Sequence, residues 1–439
     1  MARKKKRRGV SAGTLFMLLL TFAVLAACVW FVLAIAGDGL YERTEALIHI
    51  LAHPARQATH APAAPTPAAT VVRYVEATPS PTPVKTPTPV PQPVSFTLAA
   101  GGTIYAPKAI RQSVEIGSEQ YDFDPVFSGL GTALSGADLA IVTLETTTAG
   151  KEKGYGNYNT PAEILDTLRA CGVDLICLGT ERALDKGYDG MALTVSEVTA
   201  RGLAYVGVNP DLQERPKTNL IGVNGVDVAV LAYTYGLSDE GRERTREPER
   251  SAVSLLDMER MTSDITQARL DGADVVIVLP HWGTKNKQET PQDICDMAYA
   301  LAAAGADIIL GTHPNVVQGT QRLSVVRSDG LTYEAVVCYS LGSLLTDART
   351  PENTQGMIAR LTVTYDPVSR RTSLGDLACI PVYIARQREE GQNVYRVVDT
   401  ENAAAVSALE TGEQEAARQA AQSVRDLTGQ AQREEEGEG

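Results

Sequence analysis

Between residues 94 and 381 the chain alternates short apolar runs with stretches in which apolar positions recur every three or four residues. The first pattern predicts buried strands and the second amphipathic helices. Strands are expected at 96–100, 138–144, 173–178, 203–206, 226–233, 275–279, 307–310 and 336–339, with a last one at 394–398. Helices are expected at 161–170, 192–201 and 291–304, and Gly305 supplies a stop for the third. Strands alternating with helices in this way predict an α/β body. The run at 275–279, apolar without interruption and rich in β-branched residues, suits a strand covered on both faces.

The unit from 273 to 316 is the most informative part of this pattern. One predicted strand ends at Pro280 and is followed by His281-Trp282-Gly283; the next is followed by Gly311-Thr312-His313-Pro314. Each strand is thus followed by a histidine, at the sheet edge where α/β proteins collect ligands and catalytic groups. The chain has five histidines, and the other three (His49, His53, His60) precede the body. A single histidine could serve as a local hydrogen-bonding group. Two in equivalent positions make His281 and His313 candidate catalytic residues.

The ends of the chain differ from its body. Residues 1–13 are basic and residues 14–37 are an uncharged apolar stretch, long enough to span a bilayer as a helix. The positive charge before it predicts a single-pass signal anchor with a cytoplasmic N-terminus and an extracytoplasmic body. Leu25-Ala26-Ala27-Cys28 resembles a lipoprotein processing site, but apolar sequence continues after it, which favours an uncleaved anchor. Residues 38–93 combine a juxtamembrane segment with a Pro/Thr-rich stalk of polyproline II character. Residues 94–399 form the body. Residues 400–439, rich in Ala, Gln and Glu, read as a solvated helix fraying into an acidic tail. Residues 239–250, densely charged, read as a solvated loop.

The net charge is −13, and the six positive charges of residues 1–8 leave −19 on the remainder, an acidic body that argues against a nucleic-acid partner. Of the six cysteines, none shows zinc-ligand pair spacing, and most read as small buried residues.

Several landmarks occur in a telling order: Tyr121-Asp122-Phe123-Asp124-Pro125, then 137–145 (ADLAIVTLE), Ala183-Leu184-Asp185-Lys186-Gly187, His281-Trp282-Gly283, Gly305-Ala306-Asp307 running into Gly311-Thr312-His313-Pro314, and Tyr339-Ser340-Leu341-Gly342. Together they resemble the poly-γ-glutamate capsule-synthesis family, the CapA-type proteins, over about 96–381. The resemblance implies a calcineurin-like metallophosphoesterase fold, two β-sheets sandwiched between helices, here preceded by one transmembrane helix. In that wider group two metal ions, held by Asp, Asn, His and Glu at strand ends, generate a nucleophilic water.

The chain departs from the family pattern at ligand positions. Gly101-Gly102 stands where Gly-Asp is expected, Thr143 replaces an asparagine, Gly179-Thr180-Glu181-Arg182 replaces Ala-Asn-Asn-His, Lys285 replaces a glutamate, Asn315 a histidine, and Ser343 an asparagine. Glu145, His281 and His313 survive as expected metal ligands, with Asp185 near in sequence. Arg182 is expected to enter the metal cavity and pair with Glu145, and Arg182 with Lys285 to form a substrate-binding pair. Three ligands suit one divalent ion, zinc or manganese, with an open position, or a centre that holds none.

Three functions follow from these expectations. The first is a membrane-anchored component of capsule (poly-γ-glutamate) biosynthesis or export with a degenerate metal centre. Its partners would be the cytoplasmic membrane, an anionic polymer and other capsule-assembly proteins. The second is a cell-surface metal-dependent hydrolase of phosphoester or amide bonds. The third is a non-catalytic surface scaffold.

Overall fold

The computed structural model describes residues 91–213 and 220–429. Among them, one sheet runs, in spatial order, Gln392–Asp399, Ala378–Glu389, Gln355–Asp366, Val94–Ile104, Leu139–Leu144, Leu175–Cys177 and Ala204–Val206. The short strands Ser343–Leu345 and Arg371–Leu374 join it from the side. The second sheet runs Thr320–Val326, Thr332–Cys338, Ile308–Leu310, Val275–His281, Val226–Thr234 and Leu220–Val223. Its four central strands are parallel. So are the four strands from Val94–Ile104 to Ala204–Val206 in the first sheet.

The two-residue period of a strand explains the layers. Leu98 and Ala100 share one core with Ile141, Val228, Val230, Ile277, Ile308 and Val336, so this core lies between the sheets. Ala99, Ala140, Val142 and Ile176 face the other way, against Ile164, Leu168, Met191 and Val198 of the helices Glu163–Ala170 and Gly187–Ala200. On the second sheet, Val276, Val278 and Ile309 face Ile265, Ala268, Ala298 and Leu301 of Met258–Leu270 and Gln292–Ala304. The order is therefore helices, sheet, sheet, helices, the sandwich that the resemblance implies. Cys177, Cys338 and Cys379 are buried in the central core.

All the strands expected from the sequence form, and they end near the expected places. His281 is the last residue of its strand and not the first beyond it. The anchor at 14–37 and almost all of the stalk lie outside the described residues. Among the described residues no helix is long and apolar enough to cross a membrane.

Two expectations need correcting. The helix Thr411–Thr428 is not a solvated extension of the body. Ala417 and Ala420 pack with Tyr383 and Ala385, and Val424 enters the core between the sheets. A side chain as small as alanine lets the helix approach the sheet closely, so its buried stripe reads as polar by composition. Val424→Asp should cost at least about 2 kcal/mol, because a carboxylate would be buried without a partner. Urea denaturation would show this, and an unchanged midpoint would mean that the helix is not docked in solution. The charged segment at 239–250 is not a plain loop either. It forms the helix Asp239–Arg244, whose Ser238 cap accepts from the Gly241 amide, and the short turn Glu249–Ala252.

Candidate metal centre

The parallel strands of both sheets end on the same side of the sandwich, and the polar residues gather there. Glu145 follows Leu139–Leu144, and Glu181 follows Leu175–Cys177 by a tight turn. Tyr235 follows Val226–Thr234, His281 ends Val275–His281, and His313 follows Ile308–Leu310. Glu145, Glu181, His281 and His313 are all buried.

The histidines are fixed by the chain between their strands. Trp282, fully buried, donates its backbone amide to the Thr312 carbonyl and its indole N–H to the Tyr339 carbonyl. Gly311 permits this approach: a Cβ there would lie 2.0 Å from the Tyr339 oxygen and 2.5 Å from the Trp282 indole nitrogen. His313 has φ of +95°, a conformation costing a non-glycine residue roughly 1–3 kcal/mol. Such strain is maintained where surrounding contacts dictate it. Here the Asn286 amide donates to the Pro314 carbonyl across the same turn.

His281, His313 and Glu181 offer three donor atoms within 4.8 Å of one another. His281 Nε2 lies 2.5 Å from Glu181 Oε2, and His313 Nδ1 lies 3.5 Å from the same oxygen and 3.3 Å from His281 Nε2. His281 Nδ1 is hydrogen-bonded to Thr312 Oγ1 at 2.9 Å. That second contact orients the ring, as the outer partners of metal-bound histidines do. Tyr235 covers the pair, its ring centroid 4.4 Å from that of His313, and is itself half exposed. Two imidazoles and one carboxylate converging in a buried pocket fit one divalent ion with an open position.

The electrostatics agree with such a role. Burial lowers the pKa of His281, more than the Glu181 hydrogen bond raises it, which favours the neutral imidazole that a metal requires. Burial would raise Glu181, but hydrogen bonds from His281 and His313 and the charge of Lys285 hold it well below the usual carboxylate range. Glu145 goes the other way. Burial, then the charge on Glu181, pushes it up to about 8.

The expected residues are thus only partly united. His281 and His313 stand together as foreseen. Glu145 is not a member of their donor group; its Oε1 lies 3.6 Å from Lys285 Nζ, and its Oε2 is buried without a hydrogen bond. Arg182 does not pair with Glu145. It lies 3.4 Å from Asp185 and 3.7 Å from Glu181, with its guanidinium 3.8 Å from the Tyr158 ring centroid. Lys285 takes the place foreseen for Arg182, 2.8 Å from Glu181 Oε1. Both cations are therefore committed to internal carboxylates. The lost Gly-Asp position is closed as well, since a Cβ on Gly102 would lie 2.2 Å from the Gly342 carbonyl oxygen.

Glu181 is the residue that sequence reasoning missed. Its signal was present: a carboxylate at a strand end, where the family pattern places metal donors. Tyr235 was missed too. Beside it opens a cavity of about 580 Å³ lined by Leu237 and Leu255, by Arg242, Arg250 and Arg260, and by Glu247 and Asp257, walled in part by the charged segment at 239–250.

Glu145 gives the metal-free protein a characteristic pH dependence. Its folded pKa is raised, so between 4.5 and about 8 the unfolded chain releases a proton that the native state keeps. Stability from this source is full below 4.5 and is lost as pH rises towards 8. Glu145→Gln should flatten the decline and leave the variant several degrees more stable at pH 8, given roughly 1–2 °C per kcal/mol in a domain of this size. Parallel melting-temperature profiles for parent and variant in chelator would contradict the assignment.

The family model described as bacterial capsule synthesis protein PGA_cap matches residues 97–348, more than half of the chain and all of these site residues. The chain belongs to this family. Its sequence is 26% identical to the PGA biosynthesis protein CapA of Bacillus subtilis (strain 168) over 241 residues, covering 53% of this chain and 60% of that protein. It is 27% identical to the capsule biosynthesis protein CapA of Bacillus anthracis over 187 residues, covering 42% and 43% respectively. The chain therefore spans about half the length of these capsule-synthesis relatives. A solved structure of the calcineurin-like phosphoesterase YfkN from Bacillus subtilis superposes with a TM-score of 0.38 and 13% identity, covering 75% of this chain and all of that one, too loosely to carry an argument.

Proposed function

We propose that this member of the capsule-synthesis family acts outside the cytoplasmic membrane, anchored by residues 14–37. Its role is the assembly or export of an anionic, poly-γ-glutamate-type polymer. Its centre holds one divalent ion, zinc or manganese, on Glu181, His281 and His313. The observation that carries this reading is the convergence of those three buried donors at strand ends, within the segment that matches the family. The ion would supply Lewis-acid polarisation of a bound oxygen. The chain's own residues supply the rest. Thr312 orients His281, Tyr235 limits access of water, and the cavity, in which Arg242, Arg250 and Arg260 outnumber Glu247 and Asp257, offers an anionic chain a place beside the centre.

A second reading is a cell-surface hydrolase. A two-histidine, one-carboxylate donor set is a composition found in catalytic zinc sites that cleave amide bonds. That observation favours amide over phosphoester hydrolysis, since phosphoester cleavage in two-metal enzymes relies on a pair of ions.

The test is genetic and chemical together. Deleting the gene should abolish or strongly reduce cell-surface anionic polymer, and the full chain should restore it while His281→Ala with His313→Ala should not. Unchanged polymer in the deletion strain would overturn the proposed role. Full restoration by the double variant would leave the role but make the protein a scaffold.

A further inference from the structure

The ammonium of Lys285 stands between two buried carboxylates. Its Nζ is 2.8 Å from Glu181 Oε1 and 3.6 Å from Glu145 Oε1. The carboxylates come from strand ends of the first sheet, and the lysine from the segment following Val275–His281 in the second. The charge thus crosses the sandwich at the mouth of the site.

Lys285 is not a wandering surface residue, for the backbone around it is tied on three sides. The Asn286 amide donates to the Pro314 carbonyl at 2.8 Å, Asn353 donates its side-chain amide to Asn286 Oδ1 at 2.9 Å, and Gln318 donates to the Lys287 carbonyl at 2.8 Å. Its side chain is 36% exposed, while the carboxylates it joins are buried.

We propose that Lys285 is a built-in cation that occupies the position of a second metal ion, so that the centre takes up one divalent ion and not two. The inference rests on the reading of Glu181, His281 and His313 as the first metal site. Glu181 is divided between the two charges: Oε2 faces the histidines, and Oε1 faces the ammonium. A metal ion bound to Oε1 or to Glu145 at about 2.0–2.2 Å would lie almost against that ammonium, and like charges at such separations repel strongly. An ammonium offers three donors to carboxylate oxygens without needing the several ligands that a divalent ion needs. Glu145 Oε2, buried without a hydrogen bond, is a spare oxygen at this place, available once the ammonium is removed.

The experiment counts bound metal. The full-length chain in detergent is stripped with chelator, re-equilibrated with zinc or manganese alone, and assayed for equivalents retained. The parent and Lys285→Arg should each hold one. Lys285→Met, which keeps the bulk and removes the charge, should hold two. Without metal it should melt below the parent, because the buried Glu181 carboxylate loses its nearest counter-charge, and manganese should raise its melting temperature more than the parent's. If Lys285→Met cannot be purified folded, the same count on Lys285→Gln decides. One equivalent in the folded variant overturns this proposal and leaves the first site intact. No metal in the parent overturns the first site itself.

Discussion

Glu181→Gln should lower the affinity for zinc by well over the roughly 10–100-fold that loss of an outer partner of a metal ligand costs. An amide has no negative charge to offer the ion, yet glutamine keeps the volume of the side chain, so the effect separates binding from folding. Competition with a chromogenic chelator would measure it. The same substitution leaves one oxygen where there were two, so it can serve the histidines or Lys285 but not both. Glu145→Gln, by contrast, should leave zinc affinity within a few-fold of the parent, because Glu145 lies outside the three-donor group. Equal losses in both variants would contradict the placement of the ion.

Trp282→Ala should cost about 3–5 kcal/mol, the range for truncating a large buried aromatic. Its ring is fully buried in the core outside the second sheet, and its two N–H groups tie the strand ends bearing His281, Thr312 and Tyr339. At roughly 1–2 °C per kcal/mol for a body of this size the melting temperature should fall by about 4–8 °C. Trp282→Phe should cost less, but it leaves the Tyr339 carbonyl without its indole donor, a loss of about 1–3 kcal/mol. A Trp282→Ala variant that melts within about 1 °C of the parent, a cost under about 1 kcal/mol, would show that the strand ends are held by other contacts.

The parts of this fold that the sequence revealed share a physical cause. Val275–His281 and Leu139–Leu144 are buried along their whole length, so their apolar runs are unbroken. Gly305, with φ of +129°, marks the end of Gln292–Ala304 as a stop residue should. His281 and His313 were conspicuous because histidine is scarce in this chain and the strand ends were already located. The antiparallel strands Gln355–Asp366 and Ala378–Glu389 were less legible. They carry polar residues towards one end, where burial lapses, and so lack a continuous run.

The donor set was only half legible for a different reason. Glu181 stands where the family pattern has a different residue, so comparing residue letters registered a loss where a buried carboxylate still faces the histidines. Choosing between Arg182 and Lys285 as the partner of Glu145 depended on geometry across two sheets, which no local pattern encodes. Arg182 was held back by contacts equally invisible in sequence, the Tyr158 ring and the buried Asp185. Asp185 in turn accepts a hydrogen bond from Ser238, at the cap of the charged segment.

The most direct test of a single ion on Glu181, His281 and His313 is anomalous X-ray scattering at the zinc edge from crystals grown with zinc. One peak is expected, at about 2.0–2.2 Å from an oxygen of Glu181 and a nitrogen of each histidine, with Lys285 still between Glu181 and Glu145. A peak bridging Glu145 and Glu181, a pair of peaks, or none at these residues would contradict it.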